Sequence, residues 1–432
     1  MIPARLLLFL PFAAALHGQG TPDFEKPPIS YSESKPADAV AALQKRLAAG
    51  ELALAGDDRD VLRQLLAELR VPIASQTVVF SKTSLQRSRI RPEHPRVIYF
   101  SDSAYVGWVP GGLLELTVVD PRLGPIFYAM DLAALRRGVN PFSRDSDCLS
   151  CHGGAFVRDV PGVFVRSVFP ADSGEPLLRH GTTVVDDQTP FADRWGGWYV
   201  TGYRGAAPHR GNAIAREEKD RLVFEPESRR PDELSAFFDV SIYPAATSDV
   251  VALLVLEHQT TLQNTLTRAA FATRRMIDYQ RGLQRHFKEP ESDEPTYESV
   301  RSVIASAAQD VVDRLLFHKE AELPEGVEGS AAFRAAFAAD AVRTRDGRSL
   351  RDLSLRGRIF AHRCSYMIYS ESFAALPPAL KSGIFERLKK ALDGREAKDR
   401  YAYLPAEEKE RIRAVLLETL PEARARWGAA PR

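Results

Sequence analysis

The stretch VIYFSDSAYVGWVPGGLLELTVVDPRLGPIFYAM, residues 97–130, decides the fold class. Within it, Val97–Phe100, Tyr105–Val109, Leu113–Val119 and Ile126–Met130 are short β-branched or aromatic runs, separated by Asp, Ser, Pro and Gly. Branched and ring side chains fill a pleated surface, and the intervening residues favour tight turns, so the pattern predicts a meander of antiparallel strands. Thr77–Phe80 is a run of the same kind upstream. Before it, Ala37–Leu54 and Asp58–Leu69 space their apolar residues by three and four, which predicts two helices with Asp57 or Asp58 as an N-cap. Residues 21–140 therefore read as an N-terminal antiparallel, β-rich α+β region closing near Asn140, entered through a Pro- and Ser-rich extended lead-in over Thr21–Lys35.

Residues 141–247 are rich in Gly and loop residues, with Val163–Phe169 and Trp198–Thr201 as candidate strands. Residues 248–432 predict a mainly α-helical C-terminal region, with helices over Ser248–Arg285, Tyr297–Lys319, Ala331–Ala339, Arg356–Ala374, Pro378–Leu392 and Ala406–Leu420. Pro377-Pro378 and Asp393-Gly394 punctuate it. The fold class expected is α+β.

The 432 residues are 44% apolar and 27% charged, enough to bury a sizeable core or two. Lys plus Arg number 58 against 57 Asp plus Glu, so no overall positive field would gather nucleic acid or anionic lipid. At the N-terminus, Arg5 precedes the apolar run Leu6–Leu16 and the small polar stretch His17-Gly18-Gln19-Gly20. That order is a secretory signal over residues 1–20, and the run is shorter than the roughly twenty residues a membrane-spanning helix requires. The expectation is a mature chain starting near Thr21, periplasmic or secreted, with no transmembrane segment.

Three cysteines are too few for a disulfide framework. Two of them stand in Cys148-Leu149-Ser150-Cys151-His152, the spacing of a covalent haem-attachment site. Two thiols three residues apart reach the two vinyl groups on one porphyrin edge, and the next residue turns its imidazole to the iron. Competing readings are a redox-active dithiol, a zinc site completed by histidines, and a local disulfide. Cys364 reads as a small buried apolar residue on one helical face with Met367 and Ile368.

For the opposite face of the iron, His209 on the loop Ala206–Asn212 and His258 beside Glu257 are the leading candidates, with His180 third. Met130, Met276 and Met367 fit strand or helix cores, while His94, His286, His318 and His362 are flanked by charge or Pro and read as solvated. Arg194 is a candidate partner for a haem propionate, or for Asp193 or Asp186. Trp195-Gly196-Gly197-Trp198-Tyr199 either lays aromatic faces on the porphyrin or forms a strand with a tight entry turn.

The runs Ser75–Ser84 and Arg194–Gly202, the pair His258-Gln259, the haem motif and Cys364–Tyr369 together resemble a group of exported bacterial proteins with a single Cys-x-x-Cys-His, the cytochrome c domain-containing proteins. The resemblance spans most of the mature chain and implies one covalent haem c, iron and a redox role. That group often carries His-Met-Gly-Asn where this chain has His209-Arg210-Gly211-Asn212, and His where it has Gln263. Two functional classes follow. One is an electron-transfer protein served by a redox partner in the periplasm. The other is a peroxidase-like enzyme or small-ligand sensor with an open sixth position, in which His209 and Arg210 would act on peroxide.

Overall fold

The structure, a computed structural model, describes residues 21–394 and 400–428. The signal expected over residues 1–20 lies outside the described residues. The meander forms where the alternation places it: β1 (Thr77–Val79), β2 (Arg96–Phe100), β3 (Ala104–Trp108), β4 (Leu114–Asp120) and β5 (Gly124–Met130) pair in sequence order, every pair antiparallel. Before them lie α1 (Ala39–Ala48) and α2 (Asp58–Glu68). Asp57 caps α2 in a capping box, its side chain accepting from the Asp60 amide while Asp60 reaches back to the Asp57 amide.

The sheet is α+β in class but wider than the meander, because both edges come from beyond Asn140. After α3 (Leu132–Arg136), β6 (Phe142–Arg144) pairs with β5; β9 (Trp198–Tyr199) closes the other edge against β1. The order is β6-β5-β4-β3-β2-β1-β9. Between those edges the chain runs through α4 (Leu149–His152) and the hairpin of β7 (Val165–Val168) and β8 (Thr182–Val185); after β9 comes the hairpin of β10 (Ala215–Glu218) and β11 (Arg221–Phe224). The segment carrying the Cys-x-x-Cys-His run is therefore stitched into the sheet on both sides.

Period-two alternation sends neighbouring residues to opposite faces. Val78, Tyr99, Val106 and Leu116 pack with Val40, Val61 and Leu65 of α1 and α2; Val79, Phe100 and Tyr105 pack with Val251–Val255 of the long helix α5 (Val250–Phe287). Asp249 caps α5 by accepting from the amides of Val251 and Ala252. The remaining helices, α6 (Glu298–Leu315), α7 (Ala331–Ala339), α8 (Glu371–Ala374), α9 (Pro378–Leu392), α10 (Ala406–Thr419) and α11 (Pro421–Trp427), build the C-terminal half around α5. No described helix is long and apolar enough to cross a membrane.

Two expectations change. The helix expected over Arg356–Ala374 is absent as a unit: Leu355 and Gly357 take left-handed φ values of 57° and 67°, and Leu353 and Phe360 form a β-bridge. Only a 3-10 turn at Tyr366–Tyr369 and α8 remain, started by Ser365 and Ser370, whose side chains accept from the Met367 and Phe373 amides. Cys364, fully buried, is core as expected, but on an irregular segment. The lead-in is also more than extended chain, since Phe24, Ile29 and Tyr31 are core residues and the Tyr31 hydroxyl donates to the Pro125 carbonyl at 2.6 Å.

Candidate functional site around Cys148, Cys151 and His152

Asp145 accepts from the Asp147 amide and starts a 3-10 turn, Ser146–Cys148, which runs straight into α4. One helical turn brings positions i and i+3 to the same face, so Cys148 and Cys151 stand together while His152 points to the side. Both thiols are unpaired; Cys148 is half-buried and Cys151 exposed. Burial first, and then the charges of Asp145 and Glu115, push the Cys148 thiol up to about 12. A dithiol that attacks disulfides needs a thiolate at neutral pH, so this environment argues against the redox-dithiol reading. Among the described residues no cluster of three or more His, Cys, Asp or Glu side chains is placed to hold a metal ion. Haem makes no such demand, because its porphyrin supplies four of the iron's ligands.

His152 is the side chain of the group that is held by a hydrogen bond to the backbone. Its Nδ1 lies 2.8 Å from the Gly162 carbonyl oxygen, and the Gly162 amide donates to the His152 carbonyl at 2.9 Å. A carbonyl only accepts, so Nδ1 carries the proton and Nε2 presents its lone pair; Nε2 has no hydrogen-bond partner among the described residues. Burial holds this imidazole below the usual histidine range, the Gly162 bond opposing it, so the ring is neutral as a metal ligand must be. Phe127 and Phe164 flank the ring at centroid distances of 5.0 and 5.2 Å. Phe156, 40% exposed, continues that aromatic surface and carries the Arg166 guanidinium over its face at 5.0 Å.

The anchor for this arrangement comes from α5. Asn264 accepts from the Val163 amide at 3.1 Å and donates to the Val163 carbonyl at 2.7 Å, fixing the residue next to Gly162 with both ends of one carboxamide. Gly162 has no room for a side chain: a Cβ there would stand 2.4 Å from Asn264 Oδ1. Gly162→Ala is accordingly expected to push this loop off α5 and lower stability by about 1–3 kcal/mol, read by urea unfolding. An unchanged midpoint would mean that the Asn264 clamp is loose.

A cleft of about 300 Å³ opens beside the motif, lined by Phe156, Arg158, Val163, Phe164, Asn264 and Thr265 among others. A smaller one, about 150 Å³, is lined by Phe127, Leu149, Tyr31 and Arg144 among others. Leu149 of the motif lines the smaller cleft, and Phe164, packed on the His152 ring, lines the larger one. Arg158 has no ion-pair partner among the described residues. It is the free cation at the larger cleft, and sequence reasoning missed it because nothing in Val157-Arg158-Asp159 marks it.

The other candidate residues are engaged elsewhere. Arg194 and Trp195 are fully buried; both donate to the Glu257 carboxylate, and Arg194 Nε donates to the Thr189 carbonyl at 2.9 Å. Arg194 could reach a propionate only by stripping a buried carboxylate of its partner, a loss of about 3–5 kcal/mol. The two glycines after Trp195 serve a tight turn, since a Cβ on Gly196 would meet the Val168 carbonyl at 2.0 Å and one on Gly197 the Ser81 side chain at 2.6 Å. The turn-and-strand reading of this run is the one the packing supports.

His258 stacks on Phe317 at 4.3 Å, with Nε2 2.7 Å from Ser365 Oγ and Nδ1 3.9 Å from Asp187 Oδ2. His209 is buried among Phe191, Trp195 and Tyr203, and its Nδ1 accepts from the Gly211 amide at 3.0 Å. Arg210 pairs with Asp193 and lies over Phe169, so the two members of the expected peroxide pair are each tied to other groups. Neither histidine lines the clefts beside His152. His180 lies 3.6 Å from Glu217, and His362, expected to be solvated, is buried.

Burial pushes His209 down to about 4 and His258 down to about 3. An unfolded histidine takes its proton near pH 6.5, so acidification favours the unfolded chain by up to about 1.4 kcal/mol per pH unit for each. Glu257 and Glu320, each pushed up to about 7 by burial, work the other way between their unfolded values and pH 7. The effects oppose each other near pH 5–6, and below about pH 4.5 the histidine loss adds to that of Glu408, which Arg363 and Arg358 hold down at about 2. His258→Gln should reduce the slope of unfolding free energy against pH in that acid range; an unaltered slope would show that His258 is protonated in the folded protein.

Comparison of the chain with protein-family models, with curated proteins and with solved structures gives no match.

Proposed function

We propose that the chain is an exported monohaem c-type cytochrome. In this reading Cys148 and Cys151 would hold the porphyrin through thioether links to its vinyl groups, and His152 Nε2 would be a protein ligand of the iron. The haem supplies one-electron chemistry at its iron; the polypeptide supplies attachment, orientation and a partly apolar seat. The observation that carries the reading is the His152–Gly162 bond, which fixes the ring tautomer with Nε2 free immediately after two unpaired thiols. A carbonyl on the second ring nitrogen of a metal-binding histidine is the general way its orientation and basicity are set. Phe156 and Phe164 offer the porphyrin apolar surface, and Arg158 offers a cation for a propionate. Electron exchange with a redox partner in the periplasm is the role this chemistry suits, and the secretory pattern of residues 1–20 accords with it.

A second reading, an enzyme or sensor whose sixth iron position takes a small ligand, is favoured by one feature. The larger cleft beside His152 is bounded by Arg158, Asp186, Thr261, Asn264 and Thr265 on its polar side, and among the described residues no His, Met or Cys lines it. A visible spectrum of the ferric protein separates the two. With an open position, cyanide converts a high-spin spectrum to low-spin, and neither His209→Ala nor His258→Ala alters the starting spectrum. A low-spin spectrum indifferent to cyanide, lost in one of those variants, would return that histidine to the iron and leave a six-coordinate electron carrier.

A further inference from the structure

We propose that the C-terminal half carries a binding site for a small phosphorylated organic molecule, in a cleft separate from the haem motif. This cleft, about 570 Å³, lies where α6 ends and is lined by Phe317, Lys319, Glu320, Arg356, Arg358, Arg363 and Tyr403 among others. The chain is bent into it by left-handed residues, with φ values of 55° at Phe317, 63° at Lys319 and 67° at Gly357, which bring the loop after α6 against the irregular segment before Cys364. The Leu323–Gly357 bridge joins the two.

Two of the guanidiniums are held ready. Glu408 of α10, 1% exposed, accepts from Arg358 Nη1 at 2.9 and 3.0 Å and from Arg363 Nη2 at 2.8 Å. One carboxylate thus orients two forks, with Glu320 of the same lining close enough to feel both charges. Arg363 Nη2 also donates to the Tyr403 carbonyl at 2.9 Å and Arg358 Nη2 to the Ala361 carbonyl at 3.0 Å. Arg358 Nε and Arg363 Nη1 have no acceptor among the described residues, and these are the donors left for a ligand oxygen. Lys319 and Arg356, both exposed at the rim, have no ion-pair partner among the described residues.

Planar guanidinium forks held by a buried acid, with a lysine beside them, match the geometry and charge of a phosphate group. The rest of the lining selects an organic body. Phe317 and Tyr403 give aromatic wall, and the Glu320 and Glu322 carboxyls can accept from hydroxyl groups. The space exceeds what inorganic phosphate fills and falls within the range of small-molecule sites.

The test uses the full mature protein, and its outcome is independent of whether haem is attached. Isothermal titration with glucose 6-phosphate, inorganic phosphate and glucose is run at matched ionic strength on the parent and on the Lys319→Ala/Arg356→Ala double variant. Those two side chains are exposed and unpaired, so the variant should fold, which circular dichroism checks. Saturable binding of glucose 6-phosphate, tighter than inorganic phosphate and weakened about tenfold or more in the double variant, is the expected result. Equal affinity of glucose and glucose 6-phosphate, equal affinity in both proteins, or no saturable binding of either phosphate would overturn the proposal.

Discussion

Replacement of both Cys148 and Cys151 by serine is expected to abolish covalent haem altogether, so that a denaturing gel stained for haem peroxidase activity goes from a band at the chain's own mass to none. Each single substitution should leave one thioether, retaining some stain while shifting the haemochrome band. The effect is large because a thioether is a covalent bond, and no other thiol can substitute for it. Cys364 is fully buried, in the core that packs α5 against α6 and α9, and burial pushes its thiol up to about 12. A thiol enclosed there offers a porphyrin no access. A stained band surviving in the double variant would detach the haem from this motif.

Asn264→Ala is the second large effect. It removes both hydrogen bonds that hold Val163, leaving the Val163 amide and carbonyl to find water in a site built for a carboxamide. The direct cost is about 1–3 kcal/mol of stability. The greater consequence falls on His152, because Gly162 is the residue that orients its imidazole and Asn264 holds Gly162's neighbour. Loss of an outer partner of a metal-binding histidine typically weakens the metal bond about 10–100-fold. The variant is therefore expected to show a displaced reduction potential and a weakened iron–imidazole bond, with thioether attachment retained. Nitrogen NMR of haem-free protein supplies an independent reading: the parent should show His152 protonated at Nδ1 alone, and the variant a mixture of tautomers. Asn264→Asp, which keeps an acceptor for the Val163 amide, should recover part of the parent signature. Identical tautomer and potential in parent and variant would confine Asn264 to a structural part.

What was legible in the sequence follows from the range of the forces involved. Strands β1 to β5 and helices α2, α7 and α9 stand where alternation or three-four spacing puts them, because each buries one face and its pattern records which. β6 and β9 were not legible as members of the same sheet. Phe142–Arg144 and Trp198–Tyr199 are three and two residues long, and what recruits them is an open edge supplied by β5 and β1 from elsewhere in the chain. Arg356–Cys364 has helical composition, yet Arg358 and Arg363 are drawn to Glu408 of α10, a long-range ion pair that local spacing cannot encode.

The site divides the same way. Cys148, Cys151 and His152 are five consecutive residues whose chemistry is local, so their spacing announces them. The proposed distal ligands depended on where two distant segments fold. Glu257 does not orient His258, because adjacent helical residues face different ways; Glu257 turns to Arg194 and Trp195 while His258 turns to Ser365 and Phe317. Arg194 likewise finds its carboxylate sixty-three residues along the chain instead of at its neighbour Asp193. Gly162 and Asn264 carry no sequence signal at all, being an ordinary glycine and an amide within a long helix.

The most direct test is the intact mass of the mature protein purified after coexpression with the haem-attachment machinery, read with its pyridine haemochrome spectrum. A polypeptide heavier by one haem, with the band position of two thioether links, is the predicted result. The bare polypeptide mass, with both thiols open to alkylation, would contradict it.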